Sequence, residues 1–210
     1  MNTARRMAFV PADRLTGWVE RFAAAHQGID VTEDTDDGVR LRLHDGSVAL
    51  LAPPWPDDGR PGRGTDLLAR LASVGVQERR LGLVLIRRGG YAVGVAVAGK
   101  LVVHKVGTVS SRSRGADQAW AITQRTAQEA AKIFSGENFE YMGPGGDKAL
   151  VEAVLASPLL RSHRNRPQLG ALAVADPNMA VLQRAAVDFC AIRVQITEYQ
   201  STEHQSPATR

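Results

Sequence analysis

Three cations, Lys105, Arg112 and Arg114, stand at and within a polar loop that runs from Gly107 to Ala119. Ammonium and guanidinium groups so placed can neutralise phosphates. The backbone N–H groups near Gln118–Trp120 fall at the start of a predicted helix, where an anion is favoured. Asp117 could instead cap that helix and occupy some of those donors. From Arg79 to Ala116 there are eight Lys or Arg residues and no Asp or Glu. The loop is longer than a turn requires, which points to use. A plain solvated basic loop fits the same composition.

Other chemistries find little support. A two-metal nuclease needs clustered carboxylates, one of them on the first strand. Leu81–Ile86 and its neighbouring strands contain none. The five histidines are scattered, at 26, 44, 104, 163 and 204, and none has ligand spacing. No metal and no cofactor is expected. Ser110, Ser111 and Ser113 lack the context of a nucleophile elbow. Cys190 is the sole cysteine, which excludes an intramolecular disulfide and reads as a small buried apolar residue. The stretch GRPGRGT (59–65) lacks the lysine and the spacing of a phosphate-cradling loop.

The elements that must position these residues are legible as patterns. Leu81–Ile86, Tyr91–Val97 and Leu101–Val106 are apolar runs bounded by turn residues, and read as three antiparallel strands. Gly89-Gly90 and Ala98-Gly99-Lys100 close the two hairpins. A helix follows from about Gln118 to Phe134. Before this stretch, Leu15, Trp18, Val19, Phe22 and Ala23 make one apolar face of a helix from Pro11 to about His26. Residues 1–8 read as a frayed start. Short strands are predicted at Ile29–Glu33, Val39–Leu43 and Ser47–Ala52, with Asp45-Gly46 as a tight turn. Pro53 to Gly64 holds four prolines and three glycines and reads as a linker. Thr65 or Asp66 caps a helix at Leu67–Ser73. After Phe134 come a strand at Phe139–Met142, a turn at Gly143–Gly146 and a helix at Lys148–Ala156 capped by Asp147. A strand at Leu169–Val174, a helix from Asp176-Pro177 to about Val187 and a strand at Phe189–Ile196 follow.

The expected organisation is a helix and small antiparallel sheet with a linker over 1–66, a larger domain over 67–198 and a disordered tail over 199–210. At 210 residues, 44% hydrophobic and 23% charged, the chain reads as an ordinary globular protein. A net charge of +4 is weak evidence for nucleic acid by itself. No run approaches the ~20 apolar residues of a membrane span, and the N-terminus lacks the apolar core of a signal peptide. The expectation is a cytoplasmic protein with no membrane partner.

From residue 81 the order β-β-β-α-β-α-β-α-β predicts an α+β fold with a mixed sheet covered by helices. That order resembles the ribonuclease-H-like arrangement. The sequence also resembles the actinobacterial VLRF-type peptidyl-tRNA hydrolases, relatives of the eukaryotic and archaeal release factors. The resemblance rests on RRGGYAVGV, on the KVGT that ends the third strand, on the GGDKALV turn-helix, and on Arg114 and Trp120 around the loop. It implies a release-factor catalytic-domain-like fold. The activity implied is hydrolysis of the ester joining a nascent peptide to the tRNA 3′ end, in ribosome rescue or translation quality control. Peptidyl-tRNA and the large ribosomal subunit are the implied partners.

In release factors a glutamine at a loop tip orients water at that ester, so the work is positioning rather than ionisation. The resemblance makes Gln118 and Gln124 the candidates for this role. It makes Lys105, Arg112, Arg114 and Arg125 the candidate RNA-binding cations. The chain departs from its relatives here. They carry Gly-Gly before the Trp and Ser-Gln-Gln-Arg after it. This sequence has Gln118-Ala119 and Ala121-Ile122-Thr123-Gln124. The alternative is therefore a non-catalytic member that binds ribosome or tRNA. Gln124 and Gln128 share a helix face with Asp117, so a solvated face also explains them.

Overall fold

A computed structural model describes residues 2–108 and 116–200. The chain divides into two compact units, residues 1–75 with 191–210, and residues 76–190.

The first unit contains a five-stranded antiparallel sheet and two helices. Its strands are β1 (Asn2–Val10), β2 (Ile29–Thr35), β3 (Gly38–Leu43), β4 (Val48–Ala52) and β9 (Ile192–Gln200), in the order β1-β9-β4-β3-β2. A short 3-10 turn at Ala12–Arg14 leads into α1 (Leu15–Ala25), and α2 spans Leu67–Gly75. Alternation makes β3 one-sided: Val39, Leu41 and Leu43 are buried. They pack with Leu15, Val19 and Phe22 of α1, Leu71 of α2, and Val194 and Ile196 of β9. The Asp45 carboxylate accepts from the Ser47 N–H at 2.9 Å and fixes the turn between β3 and β4. Asp66 accepts from the Ala69 N–H at 2.8 Å at the start of α2, as the sequence predicts.

The second unit contains β5 (Arg80–Arg87), β6 (Gly90–Val97), β7 (Lys100–Gly107), α3 (Ala116–Ser135), β8 (Tyr141–Gly146), α4 (Lys148–Leu155) and α5 (Met179–Cys190). Its sheet has the order β7-β6-β5-β8, with β5, β6 and β7 antiparallel and β8 parallel to β5. Nearly every residue of β5 and β6 is buried, because helices cover both sheet faces. On one face Val84, Ile86, Tyr91, Val93 and Val95 pack with Ile122, Ala127, Ala130 and Phe134 of α3 and with Val151 and Val154 of α4. On the other lies α5, whose Phe189 fills the space beside Gly143. Asp147 caps α4, accepting from the Ala149 and Leu150 N–H groups at 3.1 and 3.3 Å. The two-residue turn Ala98-Gly99 has φ of +48° and +75°, the left-handed pair that hairpin twist requires.

A mixed α+β fold is what the sequence predicts, and the order of the first four strands of this sheet agrees with the expected arrangement. Several local expectations need correction. Residues 2–10 are strand, not a frayed start. β1 is an exposed edge strand, so it shows no apolar alternation, and its partner β9 lies at the far end of the chain. The Gly143–Gly146 stretch is β8 rather than a turn, because it pairs with β5 through Gly146. Leu169–Val174 contributes only a bridge between Gly145 and Leu172. Helix α5 runs on to Cys190, so the last strand begins at Ile192 rather than Phe189. The compact units also fall elsewhere than at 66/67 and 198/199. Both α2 and β9 pack with residues 1–75, since β9 hydrogen-bonds between β1 and β4. Of the expected disordered tail, Tyr199 and Gln200 end β9, and 201–210 lie outside the described residues.

His163 is wedged in this second core. Its ring stacks on Phe139 at 5.3 Å and meets Phe134 edge-on at 5.6 Å. Burial, and then the nearby Arg166 charge, push its pKa below the usual 6.5. The unfolded chain therefore binds this proton more readily than the folded one. The resulting stability is present above that ordinary value and is lost as pH falls through it toward the lowered folded value. The urea midpoint should fall between about pH 7 and about pH 5, and by less in His163→Gln. Parallel pH profiles for the two proteins would contradict this.

Candidate functional site

The site is built where β7 ends and α3 begins. Strand β7 carries one irregularity. Val95 pairs with Val103, but Ala96 pairs with Leu101, so Val102 is an extra residue, 54% exposed. Beyond this bulge the register places Val93 opposite Lys105 and Tyr91 opposite Gly107. Cross-strand partners project from the same face of a sheet. Lys105 therefore lies on the face that α3 covers, with Val93 and Tyr91, and is exposed at the edge. His104 lies on the opposite face, also exposed.

The Tyr91 ring rests directly against Gly107. A Cβ added at Gly107 would lie 2.5 Å from the Tyr91 hydroxyl and 2.6 Å from the ring carbon that bears it. Only glycine fits there. From α3, Arg125 pairs with the Glu129 carboxylate at 3.2 Å and lies beside the Tyr91 hydroxyl. Tyr91 first, then Glu129, hold the guanidinium pKa above even its usual range. Glu129 is nearly buried and also meets Lys132 at 3.3 Å. Gly107, Tyr91, Arg125 and Glu129 thus form a run of contacts from the end of β7 to the third and fourth turns of α3.

The sequence candidates meet different fates in this geometry. Lys105 is exposed at the sheet edge. Arg125 is 51% exposed but already partnered by Tyr91 and Glu129. Arg112 and Arg114 lie outside the described residues, as do Ser110, Ser111 and Ser113. Gln118 sits in the first turn of α3, and its amide reaches the Arg88 carbonyl of the β5–β6 turn at 3.5 Å. Gln124 is half-buried two turns on. Six residues of helix separate the glutamines by roughly 9 Å along the axis and about 120° around it. They do not share a face. Gln124 shares its stripe with Asp117, Trp120 and Gln128. Asp117 is inside the helix rather than at its cap, because α3 already begins at Ala116. In the first turn its charge suits the helix dipole and competes with any anion there.

Tyr91 and Glu129 were missed by the sequence reading. Tyr91 reads as a strand aromatic, and its apposition to Gly107 depends on a bulge that no residue announces. Glu129 stands four residues after Arg125, a legible pair on a predicted helix, yet nothing in that spacing marks it as buried. Among the described residues no group of three His, Cys, Asp or Glu side chains could hold a metal ion, and no helix is long and apolar enough to cross a membrane.

A basic strand edge beside a loop-to-helix junction, with glutamines and no thiol or metal-binding cluster among the described residues, has the make-up of a binding or positioning site. One family model matches part of the chain. The sequence model of the Actinobacteria/Chloroflexi VLRF1 release factor matches residues 111–195. The resemblance to VLRF-type release factors is thereby shown over this stretch, less than half of the chain. It includes Trp120, α3 and the GGDKALV turn-helix; RRGGYAVGV and KVGT precede it. No curated protein matches the sequence. Among solved structures, Pelota from Archaeoglobus fulgidus is 14% identical with a TM-score of 0.34, covering 89% of this chain and 63% of that one. A ROK hexokinase from Thermus thermophilus is 18% identical with a TM-score of 0.29, covering 46% of this chain and 34% of that one. The chain thus spans less than two thirds of either.

Gly107→Ala should cost about 1–3 kcal/mol, the usual penalty for overpacking, because Tyr91 cannot yield without disturbing Arg125. Thr108→Ala, one residue on and exposed, should leave stability unchanged. Urea unfolding of both variants checks this, and a wild-type midpoint for Gly107→Ala would refute the close packing.

Proposed function

We propose that this protein is a release-factor-like hydrolase of peptidyl-tRNA, acting at the large ribosomal subunit in rescue or quality control. The observation that carries the reading is the family match over residues 111–195, which takes in the loop from residue 111 on, the whole of α3 and both candidate glutamines. In the reaction, water adds to the ester carbonyl carbon and the carbon–ribose oxygen bond breaks. The peptide leaves as a carboxylic acid, and the ribose hydroxyl regains a proton. Gln118 or Gln124 orients the water. A neutral amide can do this without changing its protonation state. Lys105, Arg112, Arg114 and Arg125 hold the phosphates of the tRNA end. The expected compartment is the cytoplasm.

One observation favours a second reading. Gln118-Ala119 stands where relatives carry a glycine pair, and both residues lie inside α3. A backbone fixed in helical geometry and carrying side chains offers less approach to an ester than a glycine pair does. On this reading the protein occupies the ribosomal site without cutting.

The two readings separate in a release assay on isolated large subunits loaded with peptidyl-tRNA. If the protein is a hydrolase, it releases peptide, and the Gln118→Ala, Gln124→Ala double variant is slower by about 100-fold or more while binding is retained. Binding without release by the wild type supports the occupying member. Full activity in the double variant would remove both glutamines from the mechanism.

A further inference from the structure

The stretch from Pro53 to Asp66, between β4 and α2, contains no helix or strand. A loop of that length in a compact unit is commonly a functional one. It does not run free as a linker. Trp55 is buried and anchors its start. The Arg63 N–H donates to the Ser73 hydroxyl at 2.5 Å, and a Cβ added at Gly62 would lie 2.1 Å from the Arg70 carbonyl oxygen. The loop is therefore stapled along α2. The β2–β3 turn is held as firmly. The Thr35 hydroxyl donates to the Gly38 carbonyl at 2.6 Å, and a Cβ added at Gly38 would lie 2.2 Å from the Leu51 carbonyl oxygen.

Loop, turn and α2 together line a cavity of about 340 Å³, within the size range of small-molecule sites. Val39, Pro53, Pro61, Leu71 and Val74 give it an apolar lining. Three charged side chains join them, Asp34 and Asp36 at the β2–β3 turn and Arg70 on α2. Neighbouring Glu33 is neutralised by Arg40 and Arg42, at 3.6 and 2.9 Å. Asp34 and Asp36 form no ion pair among the described residues, with Arg70 or with any other cation. The Arg70 Nε donates instead to the Asp66 carbonyl at 3.4 Å. Two carboxylates against one guanidinium leave the cavity negative, which favours a cation. The apolar lining favours a cation that carries an apolar body.

We propose that this cavity binds a small organic cation, an ammonium group on an aliphatic or aromatic body. The body rests on Val39, Leu71 and Val74, out of water, and the ammonium lies at Asp34 and Asp36. Arg70 repels the same charge, so the ligand takes one orientation. The close approaches of Gly38 and Gly62 hold both walls in place before any ligand arrives, which lowers the cost of binding. All of these residues lie outside 111–195, and the inference does not depend on the release-factor reading.

The test uses the full chain and three probes of one shape, hexylamine, hexanol and hexanoate, titrated at neutral pH and low salt while backbone amide NMR signals are followed. Hexylamine should shift the amides of Thr35, Gly38, Gly62 and Leu71 saturably, with hexanol binding more weakly and hexanoate most weakly. The Asp34→Asn, Asp36→Asn double variant should bind hexylamine about 5-fold more weakly, the scale of two partly exposed ion pairs. Its affinity for hexanol and its urea midpoint should match wild type, since neither carboxylate is tied into the fold. No saturable shift by hexylamine overturns the proposal. So does hexanoate binding as tightly as hexylamine, or hexylamine binding that survives the double substitution intact. Shifts confined to amides remote from the cavity overturn it as well.

Discussion

The contact between the Tyr91 ring and Gly107 fixes the geometry around which the second unit is arranged. It exists because Val102 is an extra residue in β7. Without that bulge Tyr91 would face Val106, and every later residue of β7 would present its other side. Lys105 would then leave the α3 face and His104 would take its place. A single irregularity thus decides which charge stands beside the loop. It also leaves Val102 in water, a local cost accepted for the register beyond it.

Helix α3 answers this strand from the other side of the loop. Its buried stripe of Ile122, Thr126, Ala127, Ala130 and Phe134 locks it on the sheet. Thr123 and Thr126 are buried with it and return their hydroxyls to the carbonyls of Ala119 and Ile122, at 2.8 and 2.6 Å. The polar groups of this face are therefore satisfied within the helix. Arg125 and Glu129 then tie the helix to Tyr91. Gly107 packs on Tyr91, and Arg125 of α3 stands beside the same ring and pairs with Glu129.

That arrangement separates two kinds of cation. Arg125 serves the fold as much as any ligand, since Glu129 neutralises it and Tyr91 orients it. Lys105 is exposed on β7 and Arg88 at the β5–β6 turn. Asp117 sets a negative charge in the first turn of α3, where it suits the helix dipole.

Much of the local structure is written in the sequence. The strands β5 to β7 and their tight turns follow from apolar runs and turn residues, and the Asp66 and Asp147 caps follow from residue type. The absence of acid from 79 to 116, the glutamines and the departure from a glycine pair are also sequence facts. These properties depend on neighbours a few residues apart. Four features came only with the tertiary structure: the bulge at Val102, the burial of Glu129, the placing of β9 between β1 and β4, and the exposure of Trp120. Each depends on a partner far along the chain, or on its absence. An exposed edge strand shows no alternation, and a tryptophan carries the same letter whether it is buried or bare. Residue type therefore determined what chemistry the chain could offer, and long-range packing decided which of those groups face the solvent together.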